Sequence, residues 1–174
     1  ATDLNKFALA INVAPKEMVK NFQTAMPELA KYGKGGIAVF KGLAVQSKAS
    51  GVEVAKLMNI VGRFDTFEGA TDAAGKLNAM LGGNLLNSMD MLVATEEERI
   101  EMIRRSIRMT GRSWESFDRF EKKGIAMTLG IQDMTDAMRL FGTEQATWDE
   151  VKKKADPALV AQQNMTKAMQ AGVS

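Results

Sequence analysis

Short helical segments, separated by glycines and by residues that favour helix ends, occupy the stretch from Gly62 to Gly111. The clearest helix is predicted over residues 96–110, because Thr95 and Glu98 have the spacing of a capping box that satisfies backbone N–H groups at a helix start. Its acidic residues come first and its basic residues last, which complements the helix dipole. Alternation of apolar and polar residues, which would indicate strands, is nearly absent. The sequence therefore predicts an all-α fold, a succession of short helices and helical hairpins.

The remaining helices are predicted from similar start and stop residues. Pro15 fits the first turn of a helix, whereas Pro27 is expected to divide that helix into segments 16–25 and 27–32. Gly51 is expected to end the next long helix. Further predicted helix starts are Asp65 with Glu68, Ser113, Thr147 with Glu150, and Asp156 with Pro157.

Apolar residues at helical spacing indicate which sides of these helices are covered by other parts of a protein. In the helix predicted after Ser113, Phe117 and Phe120 are expected to face inward. Ten residues form the candidate face for helix packing or assembly: Phe67, Leu77, Leu81, Met89, Leu92, Ile100, Ile103, Ile107, Phe117 and Phe120.

The chain has 174 residues, 45% of them hydrophobic, which is enough for one modest core or for two small lobes. Three regions are predicted: N-terminal helical hairpins over residues 1–62, a helical core region over 63–142 and polar C-terminal helices over 143–174. Because the chain begins without Met, it is expected to be a processed product or a segment of a longer chain.

The composition limits the chemistry that the chain can perform. With no His and no Cys, it has no imidazole base, no thiolate nucleophile and no ordinary zinc site. No catalytic, cofactor-binding or metal-binding residue is predicted, and the chain is expected not to be an enzyme. An enzyme that uses only carboxylates and lysine stays an alternative. A net charge of +2 is too small to indicate nucleic-acid binding by bulk electrostatics.

Three regions resemble functional motifs but lack an essential feature. GATDAAGKL, residues 69–77, has five residues between its glycines where a phosphate loop has four, and Leu77 replaces the Ser or Thr that binds magnesium. The segment around Gly51 has the outline of a helix-turn-helix, but Glu53 would repel DNA phosphates, so a plain helical hairpin is favoured. The five arginines between residues 99 and 112 could form a phosphate-binding patch, yet the preceding glutamates favour an exposed helix that balances its own charge.

Two further charged groups are expected to be structural. The run from Lys152 to Lys154 is predicted to be a solvated helix face. Asp133 and Asp136 lie near a predicted helix start, where capping explains them without acid-base chemistry.

Methionine is frequent in the chain, with 13 residues, whereas aromatic residues are only 6%. Because Met is unbranched and fills irregular gaps, core filling is the favoured explanation. The alternative is an adaptable helix surface that meets different neighbours during assembly.

The strings FDTFEGA, GKLNAMLGG, NSMDML and ERIEMIR follow one another between Phe64 and Arg104. In this order they resemble helical segments of tail tape-measure proteins of contractile-tailed bacteriophages of the marine, myovirus-like kind. The resemblance extends from Gly62 to Gly142. Two places depart from the pattern: Glu96–Glu98, where the family often has a D-P-x-E-R string, and the segment after Ser113, where it often has Tyr or acidic residues. These differences affect local capping and surface.

The resemblance implies a structural virion protein that sets tail length, assembles inside the tail tube and is released ahead of the DNA. The implied location is the interior of the phage tail or baseplate, after synthesis in the host cytoplasm. The implied partners are copies of the same chain, as a homo-oligomer such as a trimer or hexamer, and tail tube and baseplate hub proteins. The resemblance implies no cofactor, no small-molecule substrate and at most transient contact with nucleic acid.

Two alternatives are left open by the sequence. Within a tape-measure protein, this segment is either part of an extended ruler or a folded lobe that docks on the hub. Outside that family, the chain is a helical DNA-binding or regulatory module, which salt-dependent binding to duplex DNA would distinguish.

Overall fold

The computed structural model describes residues 2–155, and within this range it contains ten α-helices and no β-strand. The predicted all-α fold is confirmed. The helices are α1 Thr2–Ala10, α2 Pro15–Leu29, α3 Gly36–Ser50, α4 Val54–Val61, α5 Phe67–Leu81, α6 Ser88–Val93, α7 Glu96–Arg108, α8 Arg119–Thr128, α9 Met134–Gly142 and α10 Gln145–Lys154. Three short 3₁₀ segments lie at Ala30–Gly35, Gly62–Phe64 and Trp114–Ser116.

Several predicted helix ends have the expected geometry. The Thr95 side chain accepts a hydrogen bond from the Glu98 backbone N–H at the start of α7. Gly51 ends α3 with a φ of 83°, and Gly82 ends α5 with a φ of 85°, both in the left-handed region that glycine adopts without steric cost. A complete capping box, with both reciprocal hydrogen bonds, joins Asp118 and Glu121 at the start of α8.

Pro27 does not divide its helix, so that prediction is wrong. Helix α2 continues through Pro27 to Leu29. The proline lies in the last turn. Its missing N–H removes only one backbone hydrogen bond there, and the last carbonyl groups of a helix have no partner within the helix in any case. Buried Ala25 and Leu29 on either side hold this turn against the core. The chain instead breaks at Gly33, which has a φ of 56°.

Three other predicted helix starts are wrong. Thr66, not Asp65, caps α5, because the Asp65 carboxylate binds Arg99 and Lys31. The segment after Ser113 forms a 3₁₀ turn, and the Asp118 cap starts α8 only after it. Thr147 lies inside α10, which begins at Gln145. The helix start predicted at residues 156–157 lies outside the described residues.

One cluster of buried side chains extends from α1 to the end of α10. Helix α3 is central to it and contacts α2, α4, α7 and α10. Helix α5 packs against α6 and α8, and α8 contacts α9. Among the largest fully buried side chains are Phe40 on α3, Phe64 before α5 and Trp148 on α10. The core therefore joins residues that are far apart in the sequence.

Two glycines inside α5 predict opposite responses to alanine. A Cβ on Gly69 would overlap the backbone carbonyl oxygen of Arg63, whereas a Cβ on Gly75 has no neighbouring atom within 4 Å. Gly69→Ala is expected to lower the free energy of unfolding by about 1–3 kcal/mol through overpacking. Gly75→Ala is expected to raise it by about 1 kcal/mol, because alanine favours a helix interior. Urea denaturation measures both, and stabilisation by both alanines would contradict the packing of Gly69 on Arg63.

Candidate assembly surface

Seven of the ten candidate packing residues belong to the interior. Leu81 and Leu92 are partly buried and pack against the core. The five that are at most 3% exposed are Leu77, Ile100, Ile103, Ile107 and Phe117. In the folded chain these seven side chains pack between helices of the same chain, so they do not form a surface for a partner.

The other three candidates, Phe67, Met89 and Phe120, lie on the surface with exposures of 57%, 50% and 71%. The prediction that Phe120 faces inward is wrong. Because α8 begins at Arg119, Phe120 is five positions before buried Ile125, which places the two about 140° apart around the helix. Phe67 shares a side of α5 with buried Ala70, but it is the first residue of the helix and is exposed.

Methionine is concentrated on the surface. Of the eleven Met residues at described positions, three are buried and two are partly buried. The six exposed residues are Met26, Met89, Met109, Met127, Met134 and Met138. This distribution favours an adaptable surface over core filling for most of the Met side chains.

Six exposed apolar residues form pairs on three helices, each pair on one side of its helix because its members are four or seven positions apart. We call them the outer apolar set: Met89 and Val93 on α6, Phe120 and Met127 on α8, and Met134 and Met138 on α9. Since α6 and α8 both contact α5, and α8 contacts α9, the three pairs lie on successive neighbours in the fold. These side chains are therefore exposed on three helices of one part of the fold.

Arg99 lies inside the protein, with only 5% of its side chain exposed. Its guanidinium donates to the carbonyl oxygens of Val61, Met91 and Leu92 at 2.8–2.9 Å and to the Asp65 carboxylate at 2.7 Å. Val61 ends α4, and Met91 and Leu92 lie in the last turn of α6. A cation at the carbonyl ends of two helices is favoured by their dipoles. Arg99 therefore joins α4, α6 and α7.

Asp65 connects this arginine to the surface. Its carboxylate accepts from Arg99 and, at 3.1 Å, from Lys31. Partial burial acts to raise the pKa of Asp65, but the hydrogen bonds from Arg99 and Lys31 outweigh it and hold that pKa below its usual value. Asp65 therefore stays ionised beside the buried guanidinium.

Arg104 is also buried, at 4% exposure, so the predicted exposed and self-balanced helix is wrong for both arginines. Arg104 donates to the carbonyl oxygens of Leu140 and Thr143 at the end of α9. Helical spacing in α7 indicates this burial. Arg99 lies four positions before buried Ile103, and Arg104 lies four positions after buried Ile100. The position was visible in the sequence, but the carbonyl acceptors were not.

No family model, curated protein or solved structure matches this chain.

A cavity of about 320 Å³ lies between α4 and the start of α9. At its wall the Lys56 ammonium donates to the Asp136 carboxylate at 2.7 Å, and this hydrogen bond raises the pKa of Lys56. Asp133 caps α9 as predicted, but Asp136 is buried and faces Lys56, so capping does not explain it. The two charges neutralise each other, and the pair fixes α4 against α9.

The apparent helix-turn-helix is a hairpin of α3 and α4 around Gly51. The outward polar side chains of α4 are engaged within the chain: Lys56 pairs with Asp136, and the Asn59 amide donates to the Gly130 carbonyl oxygen at 3.4 Å. The third, Glu53, is exposed and negatively charged. This face of α4 therefore offers little to a DNA backbone.

The string GATDAAGKL lies within the first three turns of α5, where the Gly69 N–H donates to the Thr66 cap, so the string forms part of a helix instead of a phosphate-binding loop. Within residues 2–155, no group of three or more carboxylates is arranged to hold a metal ion. No helix in the described part of the chain has the length and apolar character needed to cross a membrane.

Proposed function

We propose that this chain is a folded helical lobe of a phage tail tape-measure protein. In this function it belongs to a structural virion protein that sets tail length, assembles inside the tail tube and leaves it ahead of the DNA. The observation that carries the proposal is the ordered series of strings between Phe64 and Arg104. The same residues form consecutive helices from α5 to α7, which is compatible with a purely structural role.

Contacts between distant residues favour a folded lobe over an extended ruler. Lys56 binds Asp136, which is 80 positions away, and Lys152 binds Glu101, which is 51 positions away. A continuous helix of about 150 residues would span roughly 230 Å, whereas a compact domain of that size has a radius of gyration of about 15 Å. Such a lobe adds little to the length of an extended tape-measure chain. Its proposed role is therefore to dock on the baseplate hub.

The outer apolar set supports the proposed partners. Its Met and Phe side chains are accessible in the described part of the chain, and Met accommodates partners of different shape. We propose that copies of the chain, as a trimer or hexamer, and the tail tube and hub proteins cover these residues inside the tail or baseplate.

The test is an in-frame deletion of this segment from the parent gene, followed by electron microscopy of the tails. For a docking lobe, we expect tails to be absent. Tails shortened by about 260 Å, the length of 174 helical residues, would indicate an extended ruler instead. Normal, infectious tails would refute the tape-measure proposal. Quantitative mass spectrometry of wild-type tails counts the copies, and one copy per particle would exclude the homo-oligomer.

A DNA-binding module is a different function, which no described contact favours. Fluorescence anisotropy with duplex DNA tests it directly. Binding that weakens steeply with salt, while the tail deletion has no effect, would replace the tape-measure proposal with this alternative.

A further inference from the structure

A narrow groove between α7 and α10 gathers positive charge around a buried arginine. Its cavity has a volume of about 120 Å³. Helix α7 contributes residues at positions 101, 104, 105 and 108, and α10 contributes positions 145, 148 and 152, so each helix presents one side to the groove. Among the described residues, four cations and one carboxylate line it, which gives this part of the lining a net charge of +3.

The side chains at the bottom of the groove are held in place. The Arg104 guanidinium lies over the ring of Trp148, 3.9 Å from its centroid, and donates to the carbonyl oxygens of Leu140 and Thr143. Trp148 is itself 1% exposed. A planar guanidinium fixed by stacking and by carbonyl acceptors loses little conformational entropy when it binds a ligand.

Two guanidiniums converge on one neutral acceptor. The Gln145 side-chain oxygen accepts from Arg104 at 3.2 Å and from Arg108 at 2.8 Å. Burial lowers the pKa of Arg104 to about 10, and the neighbouring charge of Arg108 acts in the same direction. Gln145 in turn donates to the Asp149 carboxylate at 2.9 Å, and the carboxylates of Glu101 and Asp149 offset only part of the positive charge around Arg104. An anion in the groove would relieve the repulsion between the arginines.

Arg105 leaves a cation available at the mouth of the groove. It is exposed, and among the described residues it makes no hydrogen bond or ion pair. Lys152, at the other end, binds Glu101 at 2.8 Å and offsets this carboxylate of the described lining. The excess charge is therefore carried by arginines, whose forked donors match tetrahedral oxyanions.

We propose that the groove between α7 and α10 binds a phosphate dianion, either free phosphate or a phosphomonoester, through Arg104, Arg105 and Arg108. The net charge of the lining suits a doubly charged group. The small volume suits a single phosphate better than a duplex backbone. This inference concerns residues outside the outer apolar set and does not depend on the proposed tail function.

The experiment uses the two tryptophans of the chain as reporters. In ¹H–¹⁵N spectra of the full chain, sodium phosphate at pH 7.5 is expected to shift the indole N–H signal of Trp148 saturably, and that of Trp114 little. Sodium chloride at equal ionic strength is the reference, and Trp114→Phe assigns the two signals. The absence of a saturable shift beyond that with chloride would overturn the proposal.

Matched variants identify the residues. Arg105→Ala and Arg108→Ala are each expected to weaken phosphate binding about tenfold, because the loss of one hydrogen bond to a charged group lowers affinity by that order. Arg139→Ala removes the same charge from an exposed position on α9 and is expected to change the affinity less than about twofold. Equal affinity in all three variants would refute the assignment to the groove.

Two further ligands distinguish the source of the anion. Acetate tests carboxylates, and an oligonucleotide without terminal phosphate tests phosphodiesters. Weaker binding of both than of phosphate and glycerol phosphate supports a phosphate dianion. Equal or tighter binding of acetate, or of the oligonucleotide per phosphate, would overturn that choice of ligand.

Discussion

Arg99→Met is expected to lower the free energy of unfolding by about 3–5 kcal/mol, the usual effect of removing one partner from a buried charged network. The methionine fills much of the same volume but leaves the carbonyl oxygens of Val61, Met91 and Leu92 without their donor. Each unsatisfied buried acceptor costs about 1–3 kcal/mol. Urea or thermal denaturation of the purified chain measures the difference.

Arg105→Met is the matched control, because it makes the same substitution on the same helix at an exposed position. It is expected to change stability by less than about 0.5 kcal/mol. If the two variants are equally stable, Arg99 does not join α4, α6 and α7 as its contacts indicate.

The acid dependence of stability gives Arg99→Met a second readout. The pKa of Asp65 is lower in the folded chain than its unfolded value of about 3.9, so its contribution to stability is present above that pH and is lost as the pH falls further, through the lower folded pKa. Glu121, whose pKa the Arg112 hydrogen bond lowers to about 2, contributes over a similar range in both proteins. The loss of stability between pH 5 and about 2 is therefore expected to be smaller in Arg99→Met than in the wild type.

Ile103→Asp is expected to cost more than about 4 kcal/mol and to leave the chain largely unfolded at 37 °C. Ile103 is 1% exposed, between Ile100 and Ile107 on the buried side of α7. A carboxylate there either stays charged without a partner or takes up a proton, and both states are unfavourable in the core. Circular dichroism during thermal unfolding reports the loss of helix.

Two controls separate charge from packing at this position. Ile103→Val is expected to cost only about 0.5–1.5 kcal/mol, because it removes one methyl group. Arg108→Ala, one turn beyond Ile103 on an exposed position, is expected to change stability by less than about 0.5 kcal/mol. A cooperative, near-native transition for Ile103→Asp would show that this part of α7 is not in the core.

The features that depend on neighbours in the sequence could be predicted without the structure. The cap at Thr95, the glycine end at Gly51 and the buried isoleucines of α7 all follow from spacing within a few residues. The prediction that Pro27 divides its helix is wrong because a proline destabilises the last turn of a helix only slightly. Local spacing does not specify that α2 ends at Leu29. The prediction that α8 begins after Ser113 is wrong because the helix begins at the capping box of Asp118 and Glu121.

The groove between α7 and α10 could not be predicted from either helix alone. The residues that line it recur at helical spacings of three, four and seven positions along each helix. An exposed charged helix face has the same spacing, so the pattern does not distinguish the two. The two helices pack antiparallel, so that Glu101 lies opposite Lys152 and Arg108 lies opposite Gln145. Only this packing places the charges around one cavity.

The sequence by itself determined that the chain is helical, where helices such as α7 begin and α3 ends, and which isoleucines of α7 are buried, because capping and helical periodicity act over one or two turns. Only the tertiary structure decided the acceptors of Arg99 and Arg104 and which apolar residues stay outside. A buried guanidinium requires several acceptors at once, and here they come from the carbonyl ends of helices that are distant in sequence. The exposure of Phe120 likewise depends on which sides of α8 its neighbours cover, and no local pattern specifies this.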